Sequence, residues 1–167
     1  AMRQRGGRVH GVLNVLGSTL AHACDVYLPL ACGYEISVPA TKTFVNQTVL
    51  FLYLAYRLAG RNTAELDALP ALLAHTIEAT NEQARQIAGY LDKWRALHYL
   101  GYGISHPIAL EAALKLKEIT YAHCEGMFSS EFKHGTLSAV SEGYPVLFIT
   151  APGDEMMMVN HVNEVTT

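Results

Sequence analysis

The spacing of hydrophobic and polar positions changes several times along the chain, which predicts a mixture of strands and helices. Short apolar runs at 8–15 and 26–30 predict two strands, and Ser18 between them predicts the start of a brief helix. A long helix is expected from Thr41 to Gly60, because a threonine hydroxyl can cap the free N–H groups and glycine commonly ends a helix.

The second half of the chain shows a clearer alternation of elements. The polar, helical composition of 71–94 predicts a connecting helix between two domains, and 96–102 predicts a buried strand. A helix is expected to run to about residue 123, another to lie around 130–140, and a strand to follow at 144–150. This order of elements predicts an α/β fold with a parallel sheet.

Composition narrows the class of protein. Half of the 167 residues are hydrophobic and 16% are charged, where about 25% charged is typical of a soluble domain. Intrinsic disorder is therefore excluded, and self-association is expected. A net charge of -3 argues against nucleic-acid binding. The longest apolar run, 49–56, is too short for the ~20 residues of a membrane span. Three cysteines without a C-x-x-C pair fit a cytoplasmic protein without disulfides.

The most informative segment for chemistry is the predicted helix at 107–118. Helical periodicity places Lys115 on an otherwise apolar stripe, with Glu111 and Glu118 beside it. Two interpretations stay open. In the first, Glu111 and Lys115 form an ordinary structural i,i+4 ion pair. In the second, the three residues form a catalytic cluster.

A histidine and two glycine-containing turns are weaker candidates. His134 is followed by glycine and is either a structural residue or an acid/base group. The turn 101–105 and the segment 37–41 could each present helix N–H groups to an anion, although a simple tight turn is favoured at 101–105. No metal is expected, because His123, Glu125 and His134 do not have the spacing of a closed ligand set.

Three segments together resemble one enzyme family, the isomerase half of glutamine–fructose-6-phosphate aminotransferase, which consists of two sugar isomerase (SIS) domains. The segments occur in the family's order and are 34–44 (YEISVPATKTF), 109–121 (ALEAALKLKEITY) and 131–135 (EFKHG).

The resemblance implies an α/β fold of the SIS type, a parallel sheet flanked by helices in three αβα layers. The chain would span parts of two such domains. Residues 1–60 would be the last part of the first domain, 61–95 the connecting helices, and 96–167 the first part of the second domain.

The resemblance also implies roles for individual residues. Glu118 would move a proton between C1 and C2 of fructose 6-phosphate, Lys115 would lie beside it, and His134 would assist ring opening from a neighbouring subunit of a homodimer. Val38 and Ala40 would line the sugar site. The product would be glucosamine 6-phosphate, no cofactor would be needed, and a glutaminase domain of the parent chain would supply ammonia.

Departures from the family pattern leave alternatives open. Ala40 stands where the family usually has serine, so that one hydrogen bond to the sugar or its phosphate is either lost or supplied by Thr41. Thr136 stands where the family usually has proline. A related SIS isomerase or deaminase and a sugar-phosphate sensor without chemistry are the two alternatives. The family's serine-rich phosphate loop and its imine-forming lysine would lie outside residues 1–167, so we expect the chain alone to be inactive.

Overall fold

The computed structural model describes residues 3–166, and the chain divides into two compact units, Ala1–Glu78 and Ala79–Thr167. Each unit has its own small parallel sheet, with two strands in the first and three in the second among the described residues. Parallel sheets flanked by helices make up a three-layer α/β fold, which confirms the predicted fold class.

The first unit is built on a two-stranded parallel sheet. Strands β1 (His10–Leu13) and β2 (Val26–Pro29) are joined through the short helix α1 (Thr19–Ala23). As predicted, Ser18 caps α1, since its hydroxyl accepts a hydrogen bond from the Ala21 N–H at 3.2 Å. The long helix α2 (Lys42–Leu58) follows.

Helix α3 (Leu69–Leu91) begins in the first unit and ends in the second. Pro70 lies in its first turn, where backbone N–H groups have no acceptor within the helix, so that proline loses no hydrogen bond there.

The second unit has three parallel strands in the order β4-β3-β5. Helix α4 (His106–Thr120) connects β3 to β4 and packs against both strands. The remaining bounds are β3 (Ala96–Gly101), β4 (His123–Phe128), α5 (Ser129–Phe132), β5 (Val146–Ile149) and α6 (Glu155–Thr166).

Strand β4 is the main element that the sequence pattern missed. The predicted helix ends at Thr120 because Tyr121 takes a left-handed conformation (φ 57°), and the chain then enters the sheet. The helix predicted around 130–140 is also wrong. Helix α5 is a single turn, and Gly135, at φ 152°, separates it from the 3₁₀ turn Thr136–Ala139.

Two glycines let the backbone of α4 and its preceding turn lie close to the sheet. A Cβ atom on Gly126 would come within 2.7 Å of the Ala109 carbonyl oxygen, and one on Gly101 within 2.5 Å of the Ser105 carbonyl oxygen. Gly103 itself has a positive φ of 54°. Close packing and a tight turn therefore account for the glycines of the 101–105 segment.

Candidate functional site

Helix α4 brings together the three charged residues that the sequence singled out. The Lys115 ammonium donates hydrogen bonds to both carboxylate oxygens of Glu118, with Nζ 3.1 Å from Oε1 and 3.0 Å from Oε2. Glu111 Oε1 lies 3.7 Å from the same Nζ. The i,i+3 contact is therefore the shorter of the two, and Glu118 is the nearer partner of Lys115.

These side chains are half-buried on the flank of the helix. The exposed fractions of the Lys115 and Glu118 side chains are 20% and 24%. The helix face that meets the sheet carries Ala109 and Ala113, which are buried. The predicted apolar stripe through Lys115 is thus not the core face of α4, since its end residue Ile119 is mostly exposed.

Electrostatics favour the charged form of the lysine. The hydrogen bond to Glu118 is the largest of the effects that raise the pKa of Lys115 above its ordinary value, and the charge of Glu111 adds to it. Partial burial acts in the opposite direction. The ammonium stays protonated across the neutral range and fixes the orientation of the Glu118 carboxylate.

No hydrogen bond or ion pair joins the described residues His134 and Lys115. His134 is exposed, directly after α5, and its backbone N–H donates to the Glu131 carbonyl at 3.1 Å. The preceding residue, Lys133, forms an ion pair with Glu164 of α6 at 2.8 Å. An accessible imidazole on a short segment is compatible with an acid/base role toward a bound molecule.

Val38, Ala40 and Thr41 lie in the first unit, in the loop that leads into α2. The Val38 side chain is 80% exposed, and Ala40 is half-buried. Thr41 occupies the position before the helix, but its hydroxyl makes no capping hydrogen bond, so this detail of the prediction is wrong.

The N-terminus of α2 is instead capped by a residue that sequence analysis did not select. Glu35 Oε1 accepts a hydrogen bond from the Thr43 N–H at 2.7 Å, and the Lys42 ammonium lies 3.9 Å from Glu35 Oε2. The chain's own carboxylate therefore occupies the place where the 37–41 segment was considered as an anion site.

A second polar cluster lies on strands β3 and β4, and the sequence indicated only two of its members, His123 and Glu125, as weak metal-ligand candidates. Glu125 pairs with two histidines, His123 at 2.8 Å and the buried His98 at 3.6 Å, and the Tyr144 hydroxyl is 2.9 Å from His98 Nδ1. Burial lowers the pKa of His98, although the Glu125 charge acts against this. The register pairs His98 with Glu125, a contact that can be found only when β4 is recognised as a strand.

Residues 3–166 contain no group of three or more histidine, cysteine or acidic side chains arranged to hold a metal ion. Over the same residues, every helix is too short or too polar to cross a membrane. A cavity of about 590 Å³ lies in the second unit between α3, α4 and the sheet, and its wall includes Leu91, Leu97 and Leu116. The cavity is mainly apolar and does not include the charged cluster of α4.

Comparisons with known proteins show which sequences and folds this chain is similar to. The SIS domain family model matches residues 90–167. The glutamine–fructose-6-phosphate aminotransferase [isomerizing] of Pyrobaculum aerophilum is 46% identical over an alignment of 156 positions, which covers 89% of this chain and 26% of that protein. The chain thus spans about a quarter of the length of this curated relative.

Solved structures show the same fold. The C-terminal domain of glucosamine-fructose-6-phosphate aminotransferase from Francisella tularensis superposes with a TM-score of 0.78 at 28% identity, covering 98% of this chain and 50% of that one. A glucosamine-6-phosphate deaminase from Thermotoga maritima superposes with a TM-score of 0.85 at 22% identity, with the same coverage, and is a likeness of fold alone.

The parallel sheets, their flanking helices and these matches define the class as α/β proteins of the SIS type. Residues 90–167 match the SIS domain family model, and the chain is similar in sequence to glutamine–fructose-6-phosphate aminotransferases. The resemblance inferred from the three sequence segments is therefore confirmed.

Proposed function

We propose that this chain is part of the sugar-phosphate isomerase of an enzyme that converts fructose 6-phosphate and glutamine-derived ammonia into glucosamine 6-phosphate. The observation that carries the proposal is the contact of the Lys115 ammonium with both oxygens of Glu118. The 46% identity to an aminotransferase supports it.

The proposed chemistry needs one base that reaches two adjacent carbons. Moving a proton between C1 and C2 requires a carboxylate that accepts the proton at one carbon and returns it to the other. Glu118 is such a carboxylate. Its half-buried position limits water access, and the two hydrogen bonds from Lys115 hold its plane in one orientation.

The other predicted residues have supporting roles in this proposal. His134, exposed after α5, would assist opening of the sugar ring across the interface of a homodimer. Val38 and Ala40 would line the sugar site, and the free hydroxyl of Thr41 would be available to the sugar phosphate. Glu111 would support Lys115 from the next turn.

The domain arrangement is part of the same proposal. Residues 1–60 would belong to one SIS domain, 61–95 would connect, and 96–167 would belong to a second. A glutaminase domain of the parent chain would supply ammonia in the cytoplasm. Because the chain spans about a quarter of its curated relative, we expect isomerisation only in the longer protein.

Calorimetry and an isomerisation assay test the proposal together. Fructose 6-phosphate and glucosamine 6-phosphate are titrated into the chain and into the longer protein, each with its Glu118→Gln variant. Glu111→Gln is the matched control, since it removes a carboxylate from the same helix and the same lysine.

We expect Glu118→Gln to lower isomerisation by at least about 100-fold, the lower range for general acid–base catalysis, while affinity for the sugar changes little. Glu111→Gln should keep most activity. Normal isomerisation by Glu118→Gln would place the base elsewhere. Binding without isomerisation in the unmodified longer protein would support a sensor, and faster release of ammonia from glucosamine 6-phosphate than its synthesis would support a deaminase.

A further inference from the structure

The segment Ser129–Gly135, which carries His134, has too little local structure to hold its own position. Its only regular element is the single helical turn α5, and helices this short are unstable in isolation. Lys133, His134 and Gly135 are exposed. Contacts with the rest of the unit must therefore fix where the His134 imidazole lies.

The first tie is a buried hydrogen bond to α6. Ser129 and His161 are 2% and 5% exposed, and the serine Oγ lies 2.8 Å from His161 Nδ1. The same Oγ is 3.7 Å from the sulfur of the buried Met158, one turn earlier in α6. This buried contact is costly to break, because the His161 ring nitrogen would lose its hydrogen bond in a place that water does not reach.

The second tie is an ion pair at the other end of α5. The Lys133 ammonium donates to Glu164 Oε1 at 2.8 Å, one turn after His161 in α6. This hydrogen bond is the largest cause of the lowered pKa of Glu164, and the charges of His161 and His134 contribute to it. The Glu164 carboxylate thus faces the His134 segment and not only bulk water.

The remaining anchor of the segment comes from the sheet. Phe132 is 1% exposed and packs edge-on against His98 of β3, with ring centroids 5.1 Å apart. This contact fixes the last residue of α5, whereas the two ties to α6 hold Ser129 at its start and Lys133 directly after it.

We propose that α6 is a positioning element for His134, acting through the pairs Ser129–His161 and Lys133–Glu164. The proposal rests on the role of His134 in the proposed function and extends it to residues that touch neither sugar nor phosphate. His161 and Glu164 are one helical turn apart, so both project from the same side of α6 toward α5.

Hydrogen exchange of the His134 amide measures this positioning without any substrate. The amide is hydrogen-bonded to the Glu131 carbonyl, so its exchange reports opening of the segment. We expect Glu164→Gln to speed exchange about threefold, as for a partly exposed ion pair, and Ser129→Ala about tenfold. Glu82→Gln on α3 is the control, because it removes a weak surface ion pair from the same unit.

Charge reversal separates positioning from general loss of stability. Lys133→Glu and Glu164→Lys should each speed exchange, and the double variant should restore it. In the longer enzyme, Glu164→Gln should lower kcat with little change in KM. Unchanged exchange in Glu164→Gln, or a double variant no slower than the single ones, would overturn the proposal, and this holds even where Ser129→Ala fails to fold.

The two proposals fail in different experiments. Normal isomerisation by Glu118→Gln would remove the proposed base and leave the exchange results intact. Unchanged exchange would overturn the positioning role of α6 and leave the role of Glu118 intact.

Discussion

Replacing Gly126 by alanine tests how closely α4 packs on the sheet. The new Cβ would lie 2.7 Å from both the Ala109 carbonyl oxygen and the Leu110 Cα. Ordinary contacts begin at 3.4 Å, so the helix backbone must move away by about 0.7 Å. The clashing atoms belong to backbone, and no side-chain rotation relieves the contact.

The magnitude follows from two opposing effects. Overpacking of this kind costs about 1–3 kcal/mol, and contact with backbone favours the upper end. Replacing glycine also restricts the unfolded chain, which returns about 0.4–1 kcal/mol. We expect a net loss of about 2 kcal/mol in the free energy of unfolding, or roughly 8–16 °C in Tm for a unit of this size.

Urea denaturation followed by Trp94 fluorescence is a suitable assay, because this is the chain's single tryptophan and it lies in the second unit. Gly89→Ala is the matched control. A Cβ at Gly89, inside α3, meets no atom within 4 Å, so we expect a gain of about 0.5–1 kcal/mol. If Gly126→Ala were as stable as the unmodified chain, the close approach of α4 to β4 would be refuted.

Two other predictions concern buried titratable groups. Cys124 is fully buried, and burial raises the pKa of its thiol. A thiol reagent at pH 7 should therefore modify the half-buried Cys24 and Cys32 in the folded chain and react with Cys124 only after unfolding. Fast labelling of all three cysteines would contradict this prediction. Burial lowers the pKa of His98, so the unfolded chain binds a proton at this residue before the folded chain does as the pH falls below about 6.5. Unfolding in urea should therefore need less denaturant at pH 5.5 than at pH 7.5. The His98→Asn variant should show a smaller difference between the two pH values, and an unchanged difference would refute the argument.

Local patterns predicted those features that depend on neighbours in the sequence. The contact of Lys115 with Glu118 follows from i,i+3 spacing on a helix, and the cap of α1 follows from Ser18. The cap of α2 does not, since Glu35 reaches Thr43 across seven intervening residues, six of which form the loop before the helix. Propensity alone gave Thr41 that role, but its hydroxyl makes no such bond.

Strand β4 was missed for a reason that lies in its packing. His123 and Glu125 are exposed while Cys124 between them is fully buried, so the alternation of a strand is present over these three residues. Gly126 then interrupts the pattern and is typical of a turn. The glycine is required because the backbone of α4 lies against it, and this contact cannot be recognised from neighbouring residues in the sequence.

The same packing links the fold to the proposed chemistry. Ala109 and Ala113 are the buried residues of α4, and the helix backbone packs directly against Gly126 of β4. With small residues on both sides, backbone contact fixes the height of α4 above the sheet, and the long side chains of Lys115 and Glu118 are left on its flank. Catalytic groups must be held within about 0.5 Å of their productive positions. A helix displaced by about 0.7 Å carries the Glu118 carboxylate beyond that tolerance, while the Lys115–Glu118 contact, which lies within one helix, stays intact. The glycine on β4 therefore belongs to the requirements of the proposed site as much as to those of the sheet.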